Sequence, residues 1–230
     1  TADLDPIHSS GEGITRIRLG SLEPRIITEE FAQALSKLWK VCPHFHLSLQ
    51  SGCQATLERM NRRYTAGEYK EKCAILRKYY ENPALTTDVI VGFPQESLEE
   101  FQESYQFVRD IHFYETHIFK YSRRKGTKAD KMEGQIPEQE KTRRSEQMIA
   151  LGQKRSTQYE ESFLGKKLEI LLEEEVLIDG KAYLTGHSRE YIKGAVPAEG
   201  GWKINECVSM VPQEFLEDHL LTGPAAKFSL

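Results

Sequence analysis

Strand-like and helix-like segments alternate over most of this chain, and this alternation constrains the fold more than any other feature. The strand-like segments read "GITRIRLGSL", "HFHLSLQ", "LTTDVIVGF" and "THIFKYS". The helix-like segments read "TEEFAQALSKLWKV", "ATLERMNRR", "TAGEYKEKCAILRKYY", "SLEEFQESYQFVRD" and "PEQEKTRRSEQMIALGQKRSTQYEESF". Such alternation predicts an α/β fold with parallel strands and right-handed helical crossovers. Ligands of such folds bind at the carboxyl ends of the strands.

Capping residues and apolar spacing support the predicted helices. Thr65 with Glu68, and Ser97 with Glu100, have the spacing of capping boxes. One apolar face is predicted for the first helix from Phe31, Leu35, Leu38 and Trp39. A second apolar face is predicted for the helix after Ser97 from Leu98, Phe101, Tyr105 and Val108.

The pattern changes after Gly165. Short β-like runs separated by Gly, Asp and Pro follow, which is typical of a small all-β barrel. We therefore expect two domains, residues 1–163 with the α/β pattern and residues 164–230 with the β pattern.

Composition narrows the class of protein. The 230 residues carry a net charge of -4, with 39% apolar and 29% charged residues, which is an ordinary globular composition. No apolar run approaches the ~18 residues of a membrane span, and residues 1–13 lack the basic and apolar regions of a secretory leader. The four cysteines form no CxxC pair, so reduced thiols in a cytoplasmic protein are expected.

Polar side chains collect where the predicted strands end. The first strand ends near Ser21 and Glu23, and the second ends at Gln50 and Ser51. The third carries Asp88 at its start and ends in "VGFPQE", and the fourth ends in "KYSRRKGT". Because these ends meet at one edge of a parallel sheet, a binding site is predicted there.

The segments "RIRLGSLEP", "LSLQSG", "MNRRYT", "DVIVGFPQES" and "FKYSRRKGT" together resemble the second half of a radical S-adenosylmethionine (SAM) domain. The resemblance is to the tRNA methylthiotransferases, most of all to the branch acting on threonylcarbamoyladenosine. It implies the C-terminal half of a partial (β/α) radical SAM barrel. The order of the motifs along the chain makes chance agreement improbable.

The resemblance implies that SAM binds at the strand ends. Glu23 and Gln50 suit its ribose and amino groups, and Arg62 suits its carboxylate as a planar fork. Gln50 and Arg62 also have the spacing seen in the anaerobic coproporphyrinogen oxidases. The remaining cofactor contacts implied are Ser51, Asp88, Ile90, Phe93 and Tyr121.

Structural roles for these residues stay open at this stage. Arg62 could be a solvated cation at a helix end. Glu23 could belong to a simple turn, Ser51 could cap a helix, and Asp88 could cap a loop.

The resemblance also implies groups that this chain lacks. Radical SAM enzymes hold a 4Fe–4S cluster through CxxxCxxC, and methylthiotransferases hold a second cluster in a further domain. Neither motif occurs here, so we expect the C-terminal part of a larger enzyme, inactive alone, with no catalytic residue and no metal ligand in this chain. Cys53 is near the predicted SAM site, but a single thiol cannot replace three.

Two regions are predicted to contact RNA. The segments "GKKLEILLEEE" and "YLTGHSREYIKGAVP" resemble a TRAM domain, a small β-barrel that helps bind RNA. Its aromatic and basic candidates are Tyr183, Arg189, Tyr191 and Lys193. The basic loop after the fourth strand contributes Arg123, Arg124, Lys125 and Lys128. In each region the alternative to RNA binding is an ordinary solvated surface.

The function implied for the whole enzyme is replacement of C–H by C–SCH3 at C2 of threonylcarbamoyladenosine beside the tRNA anticodon. One SAM would yield the 5′-deoxyadenosyl radical and a second would donate the methyl group. Sister branches act on isopentenyladenosine in tRNA or on a ribosomal protein. A non-catalytic RNA-binding module is the alternative of another class. A phosphate-binding barrel enzyme is disfavoured because "SRRKGT" is a poor phosphate loop.

Overall fold

The computed structural model describes residues 14–228. Residues 1–13, on which the expectation of no secretory leader rests, lie outside them. The chain divides into two compact units, Thr1–Arg155 and Ser156–Leu230. Within residues 14–228, no helix combines the length and apolar character needed to cross a membrane.

The first unit contains a four-stranded parallel sheet in chain order. Its strands are β1 (Ser21–Leu22), β2 (His44–Leu47), β3 (Ala84–Val91) and β4 (Glu115–Lys120). Five helices accompany them: α1 (Glu29–Ser36), α2 (Gln54–Arg59), α3 (Ala66–Tyr79), α4 (Leu98–Ile111) and α5 (Glu138–Glu161), the last running past the boundary between the units. The predicted alternation of parallel strands and helices is confirmed.

The first predicted strand is shorter than expected. Only Ser21 and Leu22 form a ladder, and upstream a single bridge joins Ile17 to Val41. Ile17 donates to the Lys40 carbonyl and accepts from the Cys42 amide. The alternating apolar pattern therefore marks extended backbone that pairs at two points rather than one continuous strand.

Both predicted capping boxes are present. The Thr65 and Ser97 hydroxyls accept from the backbone N–H three residues on, and the Glu68 and Glu100 carboxylates accept in return. The predicted apolar faces are each wrong at one position. Trp39 and Leu98 are both 48% exposed, because Trp39 follows the end of α1 and Leu98 occupies the first position of α4.

The core of the first unit lies between the sheet and its helices. Its largest fully buried side chains are Ile27, Phe45, Leu47, Leu49, Leu57, Tyr69, Leu76, Leu85, Phe101, Phe113 and Met148. Burying a side chain of this size stabilises the fold by about 1.5–3 kcal/mol. This packing holds β2 and β3 rigidly and so fixes the position of their carboxyl ends.

The second unit carries a mixed seven-stranded sheet in the order β11-β8-β5-β6-β7-β10-β9. The strands are β5 (Leu168–Ile178), β6 (Lys181–His187), β7 (Lys193–Pro197), β8 (Cys207–Met210), β9 (Glu214–Glu217), β10 (Leu220–Thr222) and β11 (Ala225–Lys227). Asp179 and Gly180, both at positive φ, form the two-residue turn between β5 and β6. The predicted β character after Gly165 is confirmed.

Candidate functional site at the carboxyl ends of the parallel strands

A cleft of about 780 Å³ lies at the carboxyl ends of β2, β3 and β4. The predicted cofactor residues that line it are Gln50, Arg62, Asp88, Ile90, Phe93 and Tyr121. The structure therefore brings together six side chains that the sequence separates by up to seventy-one positions. Arg59, Met60, Asn61, Phe119 and Met132 complete its walls with residues of the basic loop.

Gln50 has an unusual backbone at the edge of this cleft. Its φ is +69°, a left-handed conformation that costs a non-glycine residue about 1–2 kcal/mol. Its N–H donates to the Asp88 carbonyl and its own carbonyl accepts from the Ile90 N–H, both at 2.8 Å. These two bonds to β3 hold Gln50 in the conformation that ends β2. Backbone strain maintained in this way is common at functional sites.

Two buried tyrosines donate hydrogen bonds to backbone carbonyls at the end of β2. The Tyr64 hydroxyl lies 2.8 Å from the carbonyls of Ser48 and Leu49 and donates to them. The Tyr69 hydroxyl donates to the Leu47 carbonyl at 2.7 Å. Burial raises the pKa of Tyr64 to about 12 and that of Tyr69 well above its ordinary value, so both remain protonated donors at neutral pH.

Asp88 reaches the cleft from the middle of β3. Its Oδ2 lies 3.3 Å from Nε2 of His46 on β2, and Nδ1 of the same imidazole lies 3.0 Å from Oγ1 of Thr86. The carboxylate therefore sits in a polar group that spans two strands, and it does not cap a loop.

The apolar wall of the cleft contains Ile90, Phe93 and Tyr121. The rings of Phe93 and Tyr121 meet edge to face, with centroids 5.2 Å apart. Burial raises the pKa of Tyr121, and its hydroxyl has no hydrogen-bond partner among the described residues. A buried hydroxyl without a partner is costly, so a ligand that accepts this hydrogen bond would gain affinity.

A buried ion pair anchors the loop that carries Phe93. The Glu96 carboxylate accepts from the Gly92 N–H at 2.7 Å and from Arg144 at 2.6 Å. Arg144 also donates to the Glu96 carbonyl, and both side chains are at most 5% exposed. Burial raises the pKa of Glu96 while the Arg144 guanidinium opposes that rise. The contacts tie α5 to the end of β3.

Gly92 is required by the backbone of the same loop. Its φ is +71°, and a Cβ there would overlap the side chain of Lys141. Lys141 in turn donates to the Tyr121 carbonyl at 3.0 Å. The absence of a side chain at Gly92 thus lets α5 approach both β3 and β4.

Three arginines line the cleft, and two of them, Arg59 and Arg62, differ in their partners. Arg59 forms a two-pronged ion pair with Glu100 and also donates to Thr56 at 3.1 Å. The Glu100 carboxylate raises the pKa of Arg59, and Arg59 in turn lowers the pKa of Glu100. In contrast, no side-chain hydrogen bond or ion pair engages the Arg62 guanidinium among residues 14–228. The Arg62 guanidinium is therefore available to an anion that enters the cleft.

Glu23 lies beside the cleft rather than in it. It lines a smaller depression of about 350 Å³ together with Ser21, Ser48, Arg63 and Tyr64. Asn61 and Arg62 line both cavities, so the two adjoin. The Glu23 carboxylate accepts from Arg25 at 3.2 Å.

Ser51 occupies a structural position. It is fully buried, does not line either cavity, and its hydroxyl accepts from the Cys53 N–H at 3.2 Å. Cys53, not Ser51, is the residue that precedes the first turn of α2. Its predicted contact with the cofactor remains a prediction.

The basic loop after β4 is divided. Arg124 and Lys128 line the cleft, whereas Arg123 turns to Asp130 with a 3.0 Å ion pair and a 2.8 Å bond to its carbonyl. Lys125 is exposed and does not line the cleft. Two of the four predicted RNA-binding cations of this loop thus line the cleft.

One of the four predicted RNA-binding residues of the second unit, Lys193, lies beside an acid. Lys193 contacts Glu174 at 3.4 Å, and His187 contacts Glu173 at 2.7 Å. Tyr191 stacks on the His187 ring with centroids 4.3 Å apart and planes 13° apart. Tyr183 packs against the small apolar cluster around Ile178, and Arg189 is half-buried.

Comparisons with known proteins relate this chain to one superfamily. The profile of the radical SAM superfamily matches residues 5–108. Over 171 residues the chain is 39% identical to the threonylcarbamoyladenosine tRNA methylthiotransferase MtaB of Bacillus subtilis, covering 74% of this chain and 38% of that protein. The MtaB of Chlamydia pneumoniae is 35% identical over 209 residues, covering 91% and 49%.

The chain belongs to the radical SAM superfamily and is a relative of its tRNA methylthiotransferases. It is also 38% identical over 180 residues to the tRNA-2-methylthio-N(6)-dimethylallyladenosine synthase of Finegoldia magna, covering 78% and 39%. The chain spans less than half the length of these curated relatives. Among solved structures, Escherichia coli coproporphyrinogen III oxidase aligns with a TM-score of 0.49 and 16% identity, covering 63% of this chain and 32% of that one.

The cleft of this radical SAM relative fits SAM but not a cluster. A ligand with a carboxylate, a diol and an aromatic base matches the unengaged Arg62, the polar Gln50 and Asp88, and the apolar wall. The thiols do not form a cluster site, because Cys42, Cys53 and Cys73 are buried apart and no CxxxCxxC exists. Burial raises the pKa of Cys53, and that of Cys73 to about 12, which opposes the thiolate that a metal needs.

Sequence reasoning missed several residues of this radical SAM cleft. Met60, Asn61 and Phe119 line it, and Arg144 anchors it from a helix far along the chain. Phe119 is two positions from both His117 on β4 and Tyr121 just after it, so the alternation of the strand predicts that the three share a face. Arg144 gave no such signal, because "KTRRSEQ" has the pattern of a solvated helix face.

Proposed function

We propose that this chain carries the SAM-binding and tRNA-binding residues of a tRNA methylthiotransferase that acts on threonylcarbamoyladenosine next to the anticodon. In the whole enzyme, SAM together with the iron–sulfur clusters would supply the radical and methyl chemistry of this family. The residues of this chain bind and orient it. We further propose a cytoplasmic location, where tRNA is modified.

The observation that carries the proposal is the convergence of an unengaged arginine with amide, carboxylate and aromatic groups in one cleft. Arg62 pairs with the methionine carboxylate, since a guanidinium binds a carboxylate with two parallel hydrogen bonds. Gln50 and Asp88 receive the ribose and amino groups. Ile90 and Phe93 enclose the adenine, and the Tyr121 hydroxyl donates the hydrogen bond that it lacks within the described protein.

Two sets of residues would position the tRNA. Arg124 and Lys128 lie where a phosphate backbone could approach the cleft, and their cationic heads suit it. In the second unit, the stacked His187 and Tyr191 rings offer an aromatic surface to an unstacked base.

The test is mass spectrometry of tRNA nucleosides from the source organism after deletion of the gene. The expected result is loss of 2-methylthio-threonylcarbamoyladenosine and accumulation of its unthiolated parent. Unchanged levels of both this nucleoside and the isopentenyl derivative would overturn tRNA methylthiolation as the function.

Complementation then tests the cleft. In the deletion strain, the gene with Arg62→Met should restore at most about one tenth of the methylthio nucleoside that the wild-type gene restores, because one charge-assisted pair is lost. Arg63→Met is the matched control, since Arg63 borders only the smaller depression. Equal restoration by both variants would exclude Arg62 from cofactor binding.

The branch acting on dimethylallyladenosine is the second candidate. Its support is the 38% identity to the synthase of Finegoldia magna, which is close to that of the MtaB relatives. Loss of the 2-methylthio isopentenyl nucleoside on deletion, with the threonylcarbamoyl derivative unchanged, would favour this branch.

A further inference from the structure

Three potential metal ligands lie side by side on neighbouring strands of the first unit. They are His46 on β2, Asp88 on β3 and His117 on β4. In the sheet register Asp88 pairs with His117, and His46 pairs with Thr86, two positions before Asp88. Because residues two apart on a strand share a face, all three side chains point to the same side of the sheet.

The distances suit coordination of one ion. The potential ligand atoms of the three residues all lie within 4.8 Å of one another, and Nε2 of His46 is 3.3 Å from Oδ2 of Asp88. A tetrahedral site with bonds near 2.1 Å places its ligand atoms about 3.3–3.5 Å apart. His46 and Asp88 already have this spacing. The third ligand, the exposed His117, has its ring stacked 5.8 Å from that of His46 and its ligand atom within 4.8 Å of the other two.

A partner on the far side of His46 favours metal binding. Its Nδ1 lies 3.0 Å from the Thr86 hydroxyl, and Thr86 is buried. Donation from Nδ1–H to that hydroxyl leaves the Nε2 lone pair directed toward Asp88. Histidines that bind metals almost always donate their second ring N–H to such a partner, which fixes both tautomer and orientation.

We propose that His46, Asp88 and His117 form a binding site for a divalent transition-metal ion. Two imidazoles and one carboxylate select ions such as Zn²⁺ over Mg²⁺, which prefers oxygen ligands. Asp88 also lines the cleft, so the ion would lie beside it. Its ligands are imidazoles and a carboxylate rather than the thiolates of an iron–sulfur cluster, and the proposal departs from the sequence-based prediction of no metal ligand in this chain.

The proposal does not depend on the proposed function, and its test uses no enzymatic activity. The 230-residue chain is purified free of metal and titrated with Zn²⁺ by calorimetry. One equivalent should bind, and Mg²⁺ should not compete. Co²⁺ should give the intense visible absorption of a tetrahedral site, and Zn²⁺ should abolish it.

Matched variants locate the ion. His117→Gln should weaken Zn²⁺ binding at least about tenfold, and Thr86→Val, which keeps the side-chain shape, by about the same factor. His112→Asn is the control, because His112 is an exposed histidine at the end of α4 whose left-handed backbone asparagine tolerates. It should bind Zn²⁺ like the wild type.

The result that overturns the proposal is either no binding of one equivalent or equal affinity in His117→Gln and the wild type. Circular dichroism establishes that each variant is folded, and the exposed position of His117 makes its replacement mild. If His117→Gln nevertheless fails to fold, Asp88→Asn replaces it with the same expected loss. Because Zn²⁺ binding and tRNA nucleosides are measured separately, either proposal can fail alone.

Discussion

The cleft of the first unit and the β6–β7 surface of the second unit both present cations, but they differ in how those cations are paired. In the cleft, Arg62 is left without a side-chain partner among the described residues, and Arg124 lines the same space. On the second surface, Lys193 contacts Glu174 of β5. A charge that is already neutralised gains little from a phosphate or carboxylate.

The difference in pairing depends on whether acidic side chains near the cations are free to contact them. The acidic run "EEE" on β5 is hydrogen-bonded to β6, and β6 pairs with β7, so acids lie across from the basic residues. At the carboxyl ends of β2 to β4, the acids are instead engaged elsewhere. Glu96 is held by Arg144 and Glu100 by Arg59, which leaves Arg62 to a ligand.

The largest expected effect comes from removing Arg144. Arg144→Met leaves the Glu96 carboxylate buried without its counter-charge, which costs about 3–5 kcal/mol of unfolding free energy. Arg143→Met, one position earlier, breaks only an exposed pair with Glu140 and should cost less than about 1 kcal/mol. Urea denaturation measures both, and equal costs would show that the acids near the cleft are no more tightly engaged than surface ones.

Gly92→Ala should have the next largest effect. It combines a left-handed backbone with overlap against Lys141, for a total of about 2–4 kcal/mol. Gly126→Ala shares the positive φ of +90° but meets open space, so it should cost only about 1–2 kcal/mol. Chemical denaturation of the pair separates the two contributions. A cost at Gly92 no greater than that at Gly126 would contradict close packing of α5 behind the cleft.

Glu100→Gln should destabilise the protein by about 1–3 kcal/mol at neutral pH, because its carboxylate bonds Arg59. Arg59 lowers the pKa of Glu100 in the folded protein, so the stabilisation is present above the ordinary glutamate pKa and is lost as pH falls through the lowered value. The gap between variant and wild type should therefore narrow in acid. Glu99→Gln, on the same turn without an ion pair, should show a smaller gap in denaturation curves from pH 7 to pH 3.

The smallest expected effect concerns RNA. Arg124→Met should reduce the slope of log affinity against log salt for a tRNA anticodon stem-loop by about one, as loss of one phosphate contact does. Lys193→Met should leave the slope nearly unchanged, because Glu174 already pairs with Lys193. Fluorescence anisotropy at several salt concentrations measures both. The reverse ranking would make the second unit the main RNA surface.

Sequence patterns predicted the features that depend on local spacing. The alternation of parallel strands with helices, both capping boxes and the position of Gln50 just after β2 follow from periodicity and from turn residues. The patterns could not predict which acid neutralises which cation. That outcome depends on pairs 41 and 48 residues apart, Arg59 with Glu100 and Arg144 with Glu96. The exposed Trp39 was misplaced because apolar periodicity continues past the point where α1 ends.

The left-handed conformation of Gln50 has a consequence for ligand affinity. Its peptide groups are bonded to β3 on both sides, so its backbone has little freedom left to lose when a ligand arrives. The entropy of ordering this part of the cleft is lost during folding instead of during binding. A ligand at the end of β2 therefore meets a surface that is already rigid, and its affinity there depends on the complementarity of its own polar groups.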